Sequence, residues 1–357
     1  AVADVESATT GEQKFALLQR FSDLFKKVYL CRKAYAKAAG DLIDLDTRAN
    51  DFPDQYEELT AMTKKAWDGW FDGSCSAEEW EQVMKNITAE MDKIEVEIPA
   101  ADLMDIVFNE DGSAVDQSAA QNVVESRGVP TVVASPTLGK NVLCASSNAW
   151  AYNPVNYHIV HVSDAMKEGI ENDGVTIEAM ARPYFPDGVL PRTDFCTLVG
   201  SENSGGMGLL VQDSQWCFEC HTGGSYHCAY SGSEPVGNKW VHIVGVWDGS
   251  EVKLYLDGTL ISSASATGSY GWPVNVDRQW FGIGCDLHLG DVGQSSFSGD
   301  IAIARMYSKP LNGSQVKKLY KGIKESMTDT PEHNEGETAV TGVTAVKPAN
   351  GIIYDIT

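Results

Sequence analysis

Two Asp-Gly dipeptides, Asp248-Gly249 and Asp257-Gly258, separate three consecutive runs of alternating apolar residues. Asp-Gly between alternating runs is the strongest short-range signal for a β-hairpin, because both of its residues accept the positive φ angles of a tight turn. The runs therefore predict an antiparallel meander over residues 240–264. Such strands must bury one face against a second layer, which predicts a sandwich or jelly roll.

Further short runs with the same two-residue period lie on both sides of the meander, separated by Gly, Ser, Asn and Asp. The predicted strands outside the meander are Val175–Arg182, Phe195–Gly200, Met207–Gln212, Trp216–Thr222, Tyr226–Ser231, Gln279–Cys285 and Ile301–Tyr307. Asn312 is the expected N-cap of a short helix that follows them. Residues 99–325 are thus predicted to form one all-β domain.

The first 98 residues have a helical period instead. Apolar residues step by four and three over 17–42, again over 53–73, and again over 80–94, where Ser76 and Glu79 fit a capping box. Short loops make consecutive helices antiparallel, so residues 1–98 predict a three-helix bundle. The fold class expected is α+β multidomain, with an acidic linker and a β-like tail at 326–357.

The net charge argues against nucleic acid as a partner, and the hydropathy argues against a membrane span. Lys plus Arg number 27 and Asp plus Glu number 50, so the formal charge is −23, which repels nucleic-acid phosphates. No apolar run approaches the ~20 residues that span a bilayer, so no membrane span is expected. The chain begins at Ala1 without an initiating Met, as a processed secreted protein would, which favours an extracellular or cell-envelope location.

Four stretches carry a family resemblance. The sequence reads WVHIVGVWDG at 240–249 with VKLYLDG at 252–258, FNEDGSAVDQS at 108–118, TIEA at 176–179, and FSGDIAIARMYSKPL at 297–311. In this order and spacing they resemble the concanavalin A-like, laminin-G-like and pentraxin-like jelly-roll domains over roughly residues 100–322. FNEDGSAVDQS corresponds to the first strand and turn of that family. The resemblance does not extend to the helical part.

Some enzymes of this superfamily cleave glycans with carboxylates spaced E-x-D-x-x-E or E-x-D-x-E on one strand, because acid and nucleophile must both face the sugar. No predicted strand has that spacing. Glu178 is followed by Ala179, Met180 and Ala181, so it has no partner carboxylate in its strand. The sequence also lacks a G-x-S-x-G elbow, an H-E-x-x-H helix and a P-loop. A non-enzymatic protein is therefore predicted.

The resemblance also implies a structural calcium ion. Laminin-G-like and pentraxin-like relatives often hold an ion that joins the first and last strands, which here corresponds to Asp111 and Asp300. Carboxylates and loop carbonyls are ligands that Ca²⁺ prefers. The alternative is that Asp111 is a turn residue before Gly112 and that Asp300 is a solvated strand end.

Aromatic residues in predicted loops are the candidate ligand-binding residues. Flat rings next to Asn or Asp suit sugars, whose faces are apolar and whose edges need hydrogen bonds. The candidates are Trp272, Tyr270, Trp150, Tyr152 and Tyr184. Burial in the core is the alternative for each of them.

The segment Cys217-Phe218-Glu219-Cys220-His221 spells C-x-x-C-H, the string of c-type haem attachment. Residues three apart on a strand point to opposite faces, so the two cysteines cannot both reach one haem or zinc ion. The following Thr-Gly-Gly-Ser predicts a hairpin turn. That turn brings Cys217 or Cys220 opposite Cys228, either for a cross-strand bridge or for burial in the core.

The sequence favours a secreted or surface binding module that holds a glycan through the jelly-roll loops. A protein–protein adhesion module that grips a surface protein is the first alternative, and a glycoside hydrolase or lyase with an atypical site is the second. The closing GIIYDIT at 351–357 resembles the start of a bacterial type IX secretion sorting tail, which agrees with a bacterial cell-surface protein. The oligomeric state stays open.

Overall fold

The computed structural model describes residues 96–145, 156–171, 174–184, 195–273, 280–288 and 292–332, strands at 343–346 and 353–356, and scattered positions before residue 96. The chain divides into two compact units, Ala1–Val96 and Glu97–Thr357. Residues 12–17 and several isolated positions after residue 60 are helical. The three-helix bundle as a whole lies outside the described residues and stays a prediction.

Short antiparallel strands build the second unit. They are β1 Met104–Phe108, β2 Ala114–Asp116, β3 Val123–Arg127, β4 Thr131–Ser135, β5 Lys140–Ala145, β6 Tyr157–His161, β7 Val175–Pro183, β8 Cys196–Glu202, β9 Gly206–Gln212, β10 Gln215–Thr222, β11 Ser225–Tyr230, β12 Val241–Trp247, β13 Glu251–Leu256, β14 Thr259–Ser265, β15 Phe281–Ile283, β16 Asp286–His288, β17 Val292–Gln294, β18 Gly299–Tyr307, β19 Val343–Val346 and β20 Ile353–Ile356. Two helices accompany them, α1 Asp164–Glu171 and α2 Gly313–Ser326.

Most of these strands belong to two large sheets. The nine-stranded sheet has the order β14-β13-β12-β7-β18-β1-β2, with β5 also paired to β18 and β4 paired to β5. The seven-stranded sheet has the order β11-β10-β9-β8-β15-β6-β3. Two small hairpins, β16-β17 and β19-β20, complete the described sheets. This is the jelly-roll sandwich that the strand pattern predicts.

The core lies between the two large sheets and follows from the alternation along each strand. Ile177 of β7, Ile243 of β12 and Ile301 of β18 point inward from the nine-stranded sheet. Phe218 of β10 enters from the opposite sheet and takes the space beside Gly245, where any side chain would overlap its ring. Glycine is therefore required at this position of β12 for steric reasons.

Helix α2 covers part of the outer face of the nine-stranded sheet. Its Val316 is buried with Val244, Tyr255 and Tyr307. The Asn312 side chain accepts a hydrogen bond from the Gln315 backbone while the Gln315 side chain accepts one from the Asn312 backbone, so the predicted N-cap is confirmed. Among the described residues, no helix is both long enough and apolar enough to cross a membrane.

Because its outer face is covered, the nine-stranded sheet buries polar groups that must find partners. Glu178 is fully buried and its Oε1 lies 2.9 Å from Nε2 of His242, while the Tyr307 hydroxyl donates to its Oε2 at 2.6 Å. Burial opposes ionisation of Glu178, but these hydrogen bonds and the nearby Arg305 keep its pKa below the usual value. Glu178 therefore has partners on neighbouring strands, although it has none in its own.

Every strand predicted from Val175 onward is present, with ends shifted by at most two residues. Asp257 and Gly258 both have positive φ, 49° and 75°, as the tight hairpin turn requires. The β-like tail is also present as the β19-β20 hairpin. The start of the predicted linker is attached to the domain. Thr328 and Thr330 are hydrogen-bonded to Thr137, which holds residues 328–330 at the β4-β5 turn.

The region before Val175 holds more structure than its sequence indicated. Phe108 ends β1 instead of starting the first strand, and the predicted turn at 109–113 joins β1 to β2. Strands β3 to β6 and helix α1 were not predicted. The edge strand β3, Val-Val-Glu-Ser-Arg, has no buried residue and lacks the apolar alternation that marks a strand with one buried face.

His158 of β6 is fully buried, with its ring 5.7 Å from that of Phe108. Its Nδ1 lies 3.2 Å from the Ser126 hydroxyl, and its Nε2 has no hydrogen-bond partner. Burial lowers the pKa of His158 to about 4, because the charged ring would lose its hydration. The folded protein therefore holds His158 neutral.

This neutral histidine predicts acid sensitivity. The unfolded chain takes up a proton at His158 near pH 6.5 and the folded chain only near pH 4, so the free energy of unfolding falls as pH drops through that window. Between pH 7 and pH 4.5 the free energy of unfolding, measured by urea denaturation, should fall by about 2–3 kcal/mol less in His158→Gln than in the wild type. His161→Gln, at a half-exposed ring, is the control, and an equal effect there would contradict the prediction.

Candidate functional site

The outer face of the seven-stranded sheet has a floor of glycines. Gly200 of β8 and Gly208 of β9 are paired directly, and Gly206 is paired with Glu202 in the same ladder. The Glu202 side chain lies over this floor, so that a Cβ on Gly208 would come within 2.6 Å of its carboxyl carbon. The missing side chains therefore make room for a carboxyl group above the sheet.

Glu219 brings a second carboxyl group to this floor. It lies on β10, directly opposite Gly208, and is buried at 4% exposure. Asp286 of β16 reaches the same place, where its Oδ1 accepts a hydrogen bond from the Glu202 backbone at 2.8 Å. We call Glu202, Glu219 and Asp286 the acidic cluster.

Burial and mutual repulsion raise the pKa values of Glu202 and Glu219. Burial raises the pKa of Glu202 well above its usual value, and the charges of Glu219 and Asp286 add to the effect. Burial and the Cys228 sulfur raise the pKa of Glu219 to about 8. Near neutral pH these side chains can donate a proton or a hydrogen bond. The search for carboxylates on one strand missed them because they come from three separate strands.

Tyr226 lies at the edge of the same face and is 38% exposed. Its hydroxyl accepts a hydrogen bond from the Gly205 backbone N–H at 2.7 Å and donates one to the Gly205 carbonyl at 2.9 Å. The ring of His221 meets it edge-on at 4.9 Å. Tyr226 is thus held at both its ring and its hydroxyl while part of it faces solvent. Sequence reasoning assigned it only to a strand.

The Trp272 backbone packs against Gly205, the residue to which the Tyr226 hydroxyl is hydrogen-bonded. Its indole Nε1 donates to Glu171 at 2.7 Å, and the Lys167 ammonium lies 5.8 Å from the ring centre. Tyr270 meets the ring edge-on at 5.0 Å but is itself buried in the core, so it supports Trp272 from below. The predicted candidates Trp272 and Tyr270 are therefore in contact, and Trp272 is the half-buried one.

Tyr184 belongs to a different place, on the outer face of the nine-stranded sheet. Its hydroxyl donates to Asp300 Oδ1 at 2.5 Å, while Arg182 donates to Asp300 Oδ2 from Nε and Nη2 at 2.9 and 2.6 Å. The Arg182 guanidinium lies 5.4 Å from the Tyr184 ring and 5.8 Å from that of Trp240. The remaining candidates, Trp150 and Tyr152, lie outside the described residues.

Asp300 does not fit the predicted calcium site. It is fully buried, and both of its carboxylate oxygens already accept hydrogen bonds from Arg182 or Tyr184. Asp111 is placed in the β1-β2 turn, where its Oδ1 accepts from the Ser113 backbone and hydroxyl. In the described part of the chain, no group of three His, Cys, Asp or Glu side chains is arranged to hold a metal ion. Calcium at Asp111 stays a prediction.

The Arg182–Asp300 pair predicts a large stability effect. Arg182→Leu leaves a buried carboxylate without its counter-charge, so we expect the free energy of unfolding to fall by about 3–5 kcal/mol in urea denaturation. The double variant with Asp300→Leu should recover most of that loss, because neither charge is then buried. A loss below about 1 kcal/mol in Arg182→Leu would contradict the assignment.

Comparison with known families agrees with this architecture. Residues 160–317 match the family model of the concanavalin A-like lectin/glucanases superfamily, which covers β7 to β18 and the start of α2. Residues 160–317 of the sandwich are thus similar to concanavalin A-like domains. The family resemblance stated from the sequence is confirmed, while the residues before 160 lie outside the match.

Solved structures similar to the chain include the binding domain of Paraclostridial Mosquitocidal Protein 1, with 14% identity over 62% of this chain and 52% of that one, at a TM-score of 0.48. The receptor binding domain of botulinum neurotoxin C/D mosaic serotype has 14% identity over 62% and 51%, at 0.46. Botulinum neurotoxin type C, whose cell entry depends on interaction with two ganglioside molecules, has 13% identity over 62% and 51%, at 0.44.

The chain spans about half the length of each of these solved structures. No curated protein matches the sequence.

Proposed function

We propose that the concanavalin A-like domain is a binding module that recognises a glycan through Trp272 and Tyr226. The observation that carries the proposal is the fixed indole of Trp272. Its N–H is held by Glu171 and its ring is supported by Tyr270, so the ring is already oriented before a ligand arrives. Preorganisation of this kind reduces the entropy lost on binding.

The surroundings of Trp272 fit the chemistry of a sugar. An apolar ring face suits the C–H face of a pyranose, and the sugar hydroxyls need donors and acceptors at the rim. Lys167 supplies a donor and Glu171 an acceptor beside the ring. Tyr226 adds a second partly exposed ring on the other side of Gly205. An extracellular or cell-envelope location, where glycans are displayed, is part of the proposal.

The proposal predicts that Trp272→Ala abolishes glycan binding. The wild-type chain is screened on a glycan array, and its best ligand is then titrated by calorimetry into the variant. We expect at least tenfold weaker binding, which corresponds to about 1.4 kcal/mol, because the stacking surface is lost.

Trp240→Ala is a matched control for that experiment. Trp240 is also half-buried, donates its Nε1 to a glutamate, Glu332, at 2.9 Å, and has a cation, Arg182, 5.8 Å from its ring. It lies on the outer face of the other sheet and should leave glycan affinity unchanged. Equal losses in both variants would contradict a site at Trp272, and binding of a surface protein with no glycan would favour adhesion instead.

The acidic cluster favours glycan cleavage as a second candidate function. Glycosidases need a carboxyl group that is protonated near neutral pH beside a second carboxyl group, and Glu219, whose pKa is raised to about 8, lies opposite Gly208 close to Glu202. Release of reducing ends from the array-identified glycan, at a rate that Glu219→Gln abolishes, would establish this activity. Binding without turnover leaves the module non-catalytic.

A further inference from the structure

Two cysteines meet on the outer face of the seven-stranded sheet. In the β10-β11 ladder Cys217 is paired with Tyr230 and Glu219 with Cys228. Cys217 and Glu219 are two residues apart and share a face, so Cys217 and Cys228 are diagonal neighbours on that face. Cys220 points the other way, into the core, where it is fully buried. The structure thus decides which of the two cysteines faces Cys228.

The two thiols are in contact with each other and with the acidic cluster. Cys228 Sγ donates to Glu219 Oε2 at 3.2 Å, and its sulfur also has a hydrogen-bonding contact with the Cys217 thiol. Both residues are thiols in this structure. Strand β11 ends the seven-stranded sheet and is hydrogen-bonded in it to β10 alone, so the small shift that S–S bonding needs falls on an edge strand.

We propose that Cys217 and Cys228 form a reversible disulfide that clamps β11 to β10 when the protein meets a disulfide oxidant such as oxidised glutathione. The Cys228 sulfur attacks one sulfur of the oxidant, which breaks the oxidant's S–S bond and releases one reduced glutathione. Cys217 then attacks the Cys228 sulfur of the mixed disulfide and releases the second. Both thiol protons pass to the released glutathiones, so the two-electron oxidation is balanced.

Exposure sets the order of the two steps. Cys228 is half-buried and reachable by an oxidant, whereas Cys217 is fully buried and reacts only with a neighbour. The hydrogen bond from Cys217 also lowers the pKa of the Cys228 thiol to about 6, which increases its thiolate fraction. Burial raises the pKa of Cys220 and Cys285, so those thiols are poor competitors.

The bridge would alter the candidate site. Oxidation removes the Cys228 S–H group, whose hydrogen bond Glu219 accepts. The buried Glu219 carboxyl group beside Glu202 and Asp286 then has one hydrogen-bond partner fewer. It also restrains β11, the strand that carries Tyr226. If the proposed glycan function holds, oxidation changes glycan affinity, but the bond itself is detected without any glycan.

Peptide mapping of the full chain tests the bond. The folded protein is incubated with oxidised glutathione, remaining thiols are blocked, and the sample is cut with a protease that cleaves after glutamate. Cleavage after Glu219 separates Cys217 from Cys228, so a bridge holds two peptides together until a reductant is added. We expect the linked pair in the wild type and in Cys220→Ala.

Two variants test which cysteines form the bridge. Cys217→Ala should lose the linked pair completely and retain a glutathione adduct on Cys228, and Cys228→Ser should lose both products. A linked pair that vanishes in Cys220→Ala and persists in Cys228→Ser would place the bridge between Cys217 and Cys220 and overturn the proposal. So would fully blocked, unlinked Cys217 and Cys228 in the oxidant-treated wild type, with circular dichroism confirming that each protein is folded.

Discussion

The structure depends on the burial of β7, β12 and β18 on both faces. Their inner residues pack against the seven-stranded sheet, as in any sandwich, but α2 and residues 328–332 also cover much of the outer face. Polar side chains at outward positions are then removed from water and must be paired. Glu178 with His242 and Tyr307, and Arg182 with Asp300 and Tyr184, satisfy this requirement. The second group contains Asp300 and Tyr184, which were predicted from the sequence to bind calcium and a ligand.

The outer face of the seven-stranded sheet has a different composition. Gly200, Gly206 and Gly208 leave an uncovered strip of backbone, and the acidic cluster fills it. Burial and the neighbouring negative charges raise the pKa values of Glu202 and Glu219. This face therefore carries buried carboxyl and thiol groups, whereas the buried charges on the outer face of the nine-stranded sheet are paired.

The proposed glycan site and the proposed disulfide share the same part of the structure. Gly205 connects them, because the Trp272 backbone packs against it and Tyr226 is hydrogen-bonded to it. Tyr226 shares β11 with Cys228, and Glu202 is the last residue of β8, the strand that precedes Gly205.

The strands from Val175 to Tyr307, the Asp257-Gly258 turn and the Asn312 cap could be predicted from the sequence, because each depends on local φ preferences or on the alternation of neighbouring residues. The sequence also placed Trp272 and Tyr270 together, since they are close in the chain. It did not reveal β3, whose exposed edge position leaves no apolar pattern.

The contacts between residues far apart in the chain could be read only from the folded structure. Asp300 became the partner of Arg182, Glu202 came to lie beside Glu219, and Cys217 was chosen over Cys220 as the neighbour of Cys228. Each of these contacts joins separate strands, so it depends on sheet order and ladder register. Local propensity carries no information about either, because register is set by the fit of whole faces in the core.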